Sequence, residues 1–275
     1  MNMEPRIDSD TIASNLIEQM NQLRLTEGAG TMQEHASSQP SGNQHKGHLQ
    51  IQRNHRGQIL PNGLEPPSCI PFIRNDHGWV TCVLNDETST ISNIESFISH
   101  WRPSLIGPNN LVPEGCPWIA INRGNRHTPN SGPPRIAELE AAFMSLSQSH
   151  RTNGNITLTV SALDQLACQF NVRSGKWMIF ADLDTVDSLW ANVVRMVCTH
   201  RQRGFAKVAA DSQKSDRVIC VYVDDFTDVK EVMGLRQDLR RIGVEWKIKF
   251  KMDAYTYMGI YQSNSWGISP SRYVE

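Results

Sequence analysis

The residues of this sequence best suited to chemistry are cations and aromatic rings, spaced for contact with an anion. In Glu245-Trp246-Lys247-Ile248-Lys249-Phe250-Lys251 the types alternate strictly. A strand would place Trp246, Ile248 and Phe250 on one side and Lys247, Lys249 and Lys251 on the other. Same-side residues stand about 6.6–7 Å apart, near the phosphate repeat of an extended single strand. The same pattern also suits an ordinary solvated edge strand that resists aggregation. A polar stretch from Arg123 to Pro134, with Arg135 following, adds Arg123, Arg126, His127 and Arg135. Loops carried on a sheet often hold ligand contacts. The C-terminus supplies Tyr255, Tyr257, Tyr261, Trp266 and Tyr273, rings that stack bases or pair across strands.

Enzyme chemistry finds less support. No GxSxG, HExxH, GxxxxGK[ST] or GxGxxG occurs. Asp224 and Asp225 are adjacent, so on an extended segment they point to opposite sides and suit helix capping better than one shared ion. Cys116 and His127 flank a strand with nothing to mark a thiolate. The cysteines at 69, 82, 116, 168, 198 and 220 include no CxxC pair; they read as reduced, buried thiols rather than zinc ligands. The expectation is a protein that is not an enzyme and needs no cofactor and no metal.

The 275 residues carry 27 Lys plus Arg against 28 Asp plus Glu, a net charge of −1. An anion site must then be a local patch rather than a field of the whole molecule. Apolar residues make up 39%, low enough that part of the chain is expected outside the core. No apolar run approaches the roughly 18 residues of a membrane span. The polar, acidic stretch Met1 to Asp10 resembles neither a secretory signal nor a transit peptide. Cytoplasmic localisation is expected, with the nucleus as a second site.

The elements that must position these residues begin late. Residues 1–66 are expected to be a disordered head, because Gly28 to His55 is rich in Gly, Ser, Gln, Asn and His. Within it, Ile12, Leu16, Met20 and Leu23 recur at helical spacing, suggesting an amphipathic helix able to lie in a partner's groove. Residues 67–275 read as one domain. Strands are expected at Gly78–Leu84, Trp118–Ile121, Lys176–Phe180, Phe205–Ala209, Val218–Val223, Glu245–Lys251 and Tyr255–Tyr261, with Asp253 in the last turn. Helical stripes run through Ile94–Trp101, Ile136–Leu146, Leu163–Phe170, Val186–Val197 and Val229–Ile242. Their expected starts include a capping box at Ser161 and Asp164, Asp184, and either Asp225 or Thr227; Gly243 closes the last helix. The pattern predicts an α+β fold, a largely antiparallel sheet with helices on one face.

Several runs carry a family resemblance. Val218-Ile219-Cys220-Val221-Tyr222-Val223-Asp224-Asp225-Phe226, Asp253-Ala254-Tyr255-Thr256-Tyr257-Met258-Gly259-Ile260-Tyr261 and Asn264-Ser265-Trp266-Gly267-Ile268 resemble the basophilic leukaemia expressed protein family. Gly175-Lys176-Trp177-Met178-Ile179-Phe180, with Trp190 on the next helix, fits as well. The resemblance covers about Pro71 to Val274 and implies a curved α+β fold similar to that of translation initiation factor 4E. It also implies a site. Lys176 stands where the factor's Gly-Arg-Trp strand has a phosphate-binding cation, and Lys214 and Arg217 lie in the comparable turn and strand start. The factor's two base-clamping tryptophans have no counterpart at matching positions. No Trp follows Trp118 before Trp177, and Asn171-Val172-Arg173-Ser174 precede Gly175 where the factor has Trp-Glu. The expected function is therefore non-enzymatic binding of RNA or a nucleotide phosphate at Lys176, Lys214 and Arg217, rimmed by Arg123, Arg126 and Arg135, without cap stacking. The alternative is a protein-interaction module whose helical face docks a partner helix and which binds no nucleic acid.

Overall fold

Alternating apolar residues on eight described strands build one sheet, and the side that faces the helices is mostly apolar. The computed structural model describes residues 72–74, 79–105, 118–124, 132–153, 158–210 and 216–275, all within the unit Pro61–Glu275. The expected head, residues 1–66, lies outside the described residues. The strands are β1 (Phe72–Arg74), β2 (Val80–Val83), β3 (Trp118–Asn122), β4 (Gly175–Ala181), β5 (Phe205–Ala209), β6 (Arg217–Val223), β7 (Lys249–Met252) and β8 (Tyr273–Val274). They lie side by side as β1-β2-β3-β5-β6-β4-β7-β8. Only β2 and β3 pair in parallel; the other neighbours are antiparallel.

The helices are α1 (Ile91–His100), α2 (Ile136–Asn153), α3 (Val160–Gln169), α4 (Val186–Arg195), α5 (Val229–Arg241) and α6 (Asp253–Tyr257). A short 3-10 turn, Pro103–Leu105, follows α1, and a π-helical turn, Met196–Arg201, extends α4. Three starts use a different cap from the expected one, or one not foreseen. Thr90 accepts from the Asn93 amide, Thr159 from Ala162 and Asp228 from Glu231. Asp182, not Asp184, holds the turn before α4 by accepting from the Thr185 amide and hydroxyl. Asp225 likewise holds the Thr227 amide and hydroxyl.

Register sorts the strand residues into two faces. Val80, Ile119, Val208, Ile219, Ile179, Trp177 and Phe250 share one face. They form a single core with Phe97, Leu139, Leu163, Val193 and Leu235 of the helices. The antiparallel α+β expectation therefore holds, with the helical stripes delivered to one side.

Two C-terminal expectations change. The lysine strand starts at Lys249 rather than Glu245, and Asp253–Tyr257 is a helical turn instead of part of a last strand. Tyr255 is 1% exposed, and α6 meets α2. Burial of this tyrosine in the helix layer outweighs its strand-like spacing.

Gly175 marks the tightest approach in the sheet. A Cβ there would come within 2.5 Å of Phe250 Cζ and 3.2 Å of the Lys251 carbonyl oxygen. Phe250 is fully buried and its ring meets that of Trp177 at 5.3 Å, so it has little room to yield. Gly175→Ala is expected to cost about 1–3 kcal/mol by overpacking, read as a lower urea midpoint with an unchanged slope.

Candidate functional site

Two of the expected phosphate cations, Lys176 and Arg217, do not meet. Lys176 pairs with Tyr222 across the β4–β6 ladder, and Ala181 pairs with Arg217. Directly opposite residues share a face, and faces alternate along a strand. Lys176 therefore leaves the face away from the helices, whereas Arg217 leaves the helix face with Ile219 and Val221. The two positions are also separated by five residues of ladder, about 17 Å. Lys176 Nζ lies 3.0 Å from Asp253 Oδ1, and both side chains are buried. The second Asp253 oxygen accepts from Ser174 Oγ at 2.6 Å. This ammonium is neutralised within the fold, and the proposed Lys176–Arg217 cradle is not assembled.

The two described rim cations are also engaged locally. Arg123 forms an ion pair with Asp86. Arg135 donates to the Gln169 carbonyl and stands 5.0 Å from the centre of the Phe170 ring. Arg126, His127 and Lys214 lie outside the described residues. The lysine strand occupies a different place from the separate solvated surface that its alternation suggested. Lys251 pairs with Lys176 and Lys249 with Met178, so both belong to the same face as Lys176.

That face, opposite the helices, has two halves. In the first, cations and rings are buried together. Lys207 lies against two indoles, with Nζ 3.9 Å from the Trp118 ring centre and 4.6 Å from that of Trp79. The indole centres are 5.5 Å apart and tilted by 41°. Lys176 lies 5.6 Å from the Tyr222 ring and Lys251 3.9 Å from that of Tyr261. Desolvated contacts of this kind contribute about 2 kcal/mol each. Lys207, Lys176 and Lys251 are 1%, 2% and 4% exposed, so none presents its charge to a ligand from solvent. The Trp79–Trp118–Lys207 cluster escaped sequence reasoning. Its local signal was the lone charge inside the apolar strand Phe205-Ala206-Lys207-Val208-Ala209.

The second half is open and apolar. Register places Val274, Lys249 and Met178 in one row, and Phe180 and Val218 in the next. Phe180 is 58% exposed and Val274 54%. Asp182 and Asp184, just after β4, Asp216, just before β6, and Lys249 of β7 are exposed.

A cavity of about 430 Å³ opens where β6 runs into α5. Its lining residues include Val197, Val221 and Leu235, each 1% exposed, and the charged residues Arg201, Arg203, Asp224, Asp225, Asp228 and Glu231. Among the described residues, no group of three His, Cys, Asp or Glu is placed to hold a metal ion. No described helix is long and apolar enough to cross a membrane. Burial is the main cause that pushes the Cys82 and Cys198 thiols up to about 12, which keeps them protonated and poorly nucleophilic.

A family model described as basophilic leukemia-expressed protein Bles03 matches residues 16–259. The chain belongs to the Bles03 family. The Bles03 match begins far ahead of Pro71, so the family pattern takes in part of the amphipathic segment Ile12–Leu23 that the resemblance left out. Solved structures similar to this Bles03 chain include schistosome eIF4E complexed with m7GpppA and 4E-BP. That match has 16% identity, covers 38% of this chain and 59% of the other, and has a TM-score of 0.30. A second, schistosome eIF4E complexed with m7GpppG and 4E-BP, shows 17% identity over the same shares, with a TM-score of 0.28. The Bles03 chain thus spans less than two thirds of the length of either.

Proposed function

We propose that this chain is a non-enzymatic protein-interaction module whose docking surface is the open half of the sheet face around Phe180. Its occupant is an amphipathic, basic segment of another protein. The carrying observation is an apolar strip, exposed at Phe180 and Val274 and half-buried at Met178 and Val218, with Asp182, Asp184 and Asp216 exposed near it in sequence, against Lys249, among the described residues. Apolar sheet surface attracts an apolar segment, and the carboxylate surplus favours basic residues over a polyanion. On this reading the partner lies on the sheet, whereas the sequence alone suggested the helical side. Cys82 and Cys198 are buried. Their thiols, without disulfides, accord with a reducing compartment such as cytoplasm or nucleus.

A second reading, binding of RNA or a nucleotide phosphate, is favoured by one observation: Lys207, Lys176 and Lys251 all leave the same face. Their burial weighs against it. A photo-crosslinking residue at Phe180, with Lys230 as a solvated control position, separates the two. Adducts formed in cells are expected to be sensitive to protease and resistant to nuclease. Nuclease-sensitive adducts would overturn the protein-partner reading. Single-stranded RNA is expected to bind the purified chain no tighter than about 10⁻⁴ M at physiological salt, the weak end of non-specific binding.

A further inference from the structure

We infer that Ser269 is a phosphoacceptor for a proline-directed protein kinase, and that the added phosphate is received by Arg272. The inference goes beyond the reading of the open sheet face and does not depend on it. Of the 14 prolines, Pro129 and Pro270 alone follow a threonine or a serine. Thr128 lies outside the described residues, whereas Ser269 is exposed. Ser269 opens a short stretch, Ser269-Pro270-Ser271, that belongs to neither helix nor strand and hangs between two anchors. On one side Ile268 is buried, and Asn264 holds both its amide, at 3.1 Å, and its carbonyl, at 2.6 Å. On the other, the Arg272 amide donates to the Phe250 carbonyl at 2.8 Å. Ser269 Oγ donates to the Ser271 carbonyl at 3.0 Å and accepts from its amide at 3.3 Å, local bonds that an enzyme's groups can replace.

A residue before proline is biased to extended backbone, the form in which a kinase cleft takes up a substrate segment. That cleft must also hold residues beyond the acceptor. They lead into β8, a strand of two residues at the edge of the sheet, the kind of element that opens locally at small cost. In the transfer, Ser269 Oγ attacks the γ-phosphorus of ATP. The Oγ–P bond forms as the bond from that phosphorus to the bridging oxygen breaks, ADP leaves with the electron pair, and the hydroxyl proton passes to the kinase's carboxylate base.

The second observation is the state of Arg272, three residues on. Its Nη2 lies 2.8 Å from Asp164 Oδ2 of α3, with the side chains 32% and 21% exposed. The match is incomplete: among the described residues, Arg272 Nε and Asp164 Oδ1 are buried without a hydrogen-bond partner. Burial holds the Asp164 carboxyl above its usual range against the pull of Arg272. The guanidinium thus has a donor unused and a partner that is costly to keep ionised. A phosphate on Ser269 brings about −1.5 to −2 of charge and three acceptor oxygens, a stronger match for a forked guanidinium than this carboxylate. Phosphorylation therefore draws Arg272 from Asp164 and loosens the tie between α3 and the segment entering β8.

The test incubates the folded full chain with magnesium ATP and each of two proline-directed enzymes, a cyclin-dependent and a mitogen-activated kinase, and maps the phosphate by mass spectrometry. Labelling of Ser269 by at least one is expected, and Pro270→Ala should slow it at least about tenfold. In the phosphorylated chain, the ³¹P resonance should titrate below the phosphoserine value of about 6, because a neighbouring guanidinium favours the dianion. Arg272→Gln, in a chain that keeps its cooperative urea transition, should return the titration to that value. No labelling of Ser269 in the folded chain, even where a peptide of residues 262–275 is labelled, would overturn the site. A ³¹P titration that Arg272→Gln leaves unmoved would overturn the role of Arg272.

Discussion

Asp253→Ala is expected to lower the free energy of unfolding by about 3–5 kcal/mol, the cost of stranding a buried charge. The Lys176 ammonium lies 3.0 Å from the Asp253 carboxylate, and the two side chains are 3% and 2% exposed. With the carboxylate gone, the lysine keeps the Tyr222 face at 5.6 Å, which cannot replace a formal counter-charge. Ser174 Oγ loses its 2.6 Å acceptor at the same time. Urea titration measures the loss. Lys176→Met/Asp253→Leu should recover most of it, since apolar replacement of a complete buried pair is often neutral or better. Lys249→Ala is the control on the same face; its ammonium is exposed, and the change should stay within about 0.5 kcal/mol. A cost below about 1 kcal/mol for Asp253→Ala would match a surface ion pair and reopen Lys176 as a ligand-binding cation.

The Lys176 case shows which parts of the molecule the sequence carried. Apolar periodicity gave the order of strands and helices from Val80 to Ile242, because each stripe is local and repeats several times. Caps were less legible. Asp224-Asp225-Phe226-Thr227-Asp228 offers several acceptors in a row; the fold uses Asp225 to tie down Thr227 and Asp228 to cap α5. Side-chain facing was the least legible feature, because it depends on register between strands distant in sequence. The Ala181–Arg217 pairing alone puts Arg217 on the helix face, and a one-residue slip would have reversed it. The Lys207 cluster has the same origin. Trp118 and Lys207 sit on strands whose pairing matches Ala120 with Lys207, a contact across 87 residues that no local pattern encodes.

Trp177→Ala is expected to cost about 3–5 kcal/mol, the range for truncating a fully buried aromatic side chain. Trp177 is 0% exposed. Its Nε1 donates to the Val232 carbonyl of α5 at 3.0 Å, and its ring meets Phe250 at 5.3 Å. By register it stands between Val221 and Phe250, so one residue links the sheet centre to the helix layer. Truncation opens a cavity under three strands and loosens α5 from the sheet. The urea midpoint should fall with an unchanged slope, as befits one cooperative unit. A reduced slope would mean that α5 separates from the sheet before the rest unfolds, and a loss below about 1 kcal/mol would mean that the site collapses around the smaller side chain. The same variant probes the binding face. Trp177 points to the helices, whereas Phe180 points to the open side of the same strand. Below its lowered melting temperature, a Trp177→Ala chain that carries the photo-crosslinker at Phe180 should still form protein adducts. Their loss while the chain remains folded would show that docking depends on the packed layer beneath the sheet, and that the Phe180 strip does not act alone.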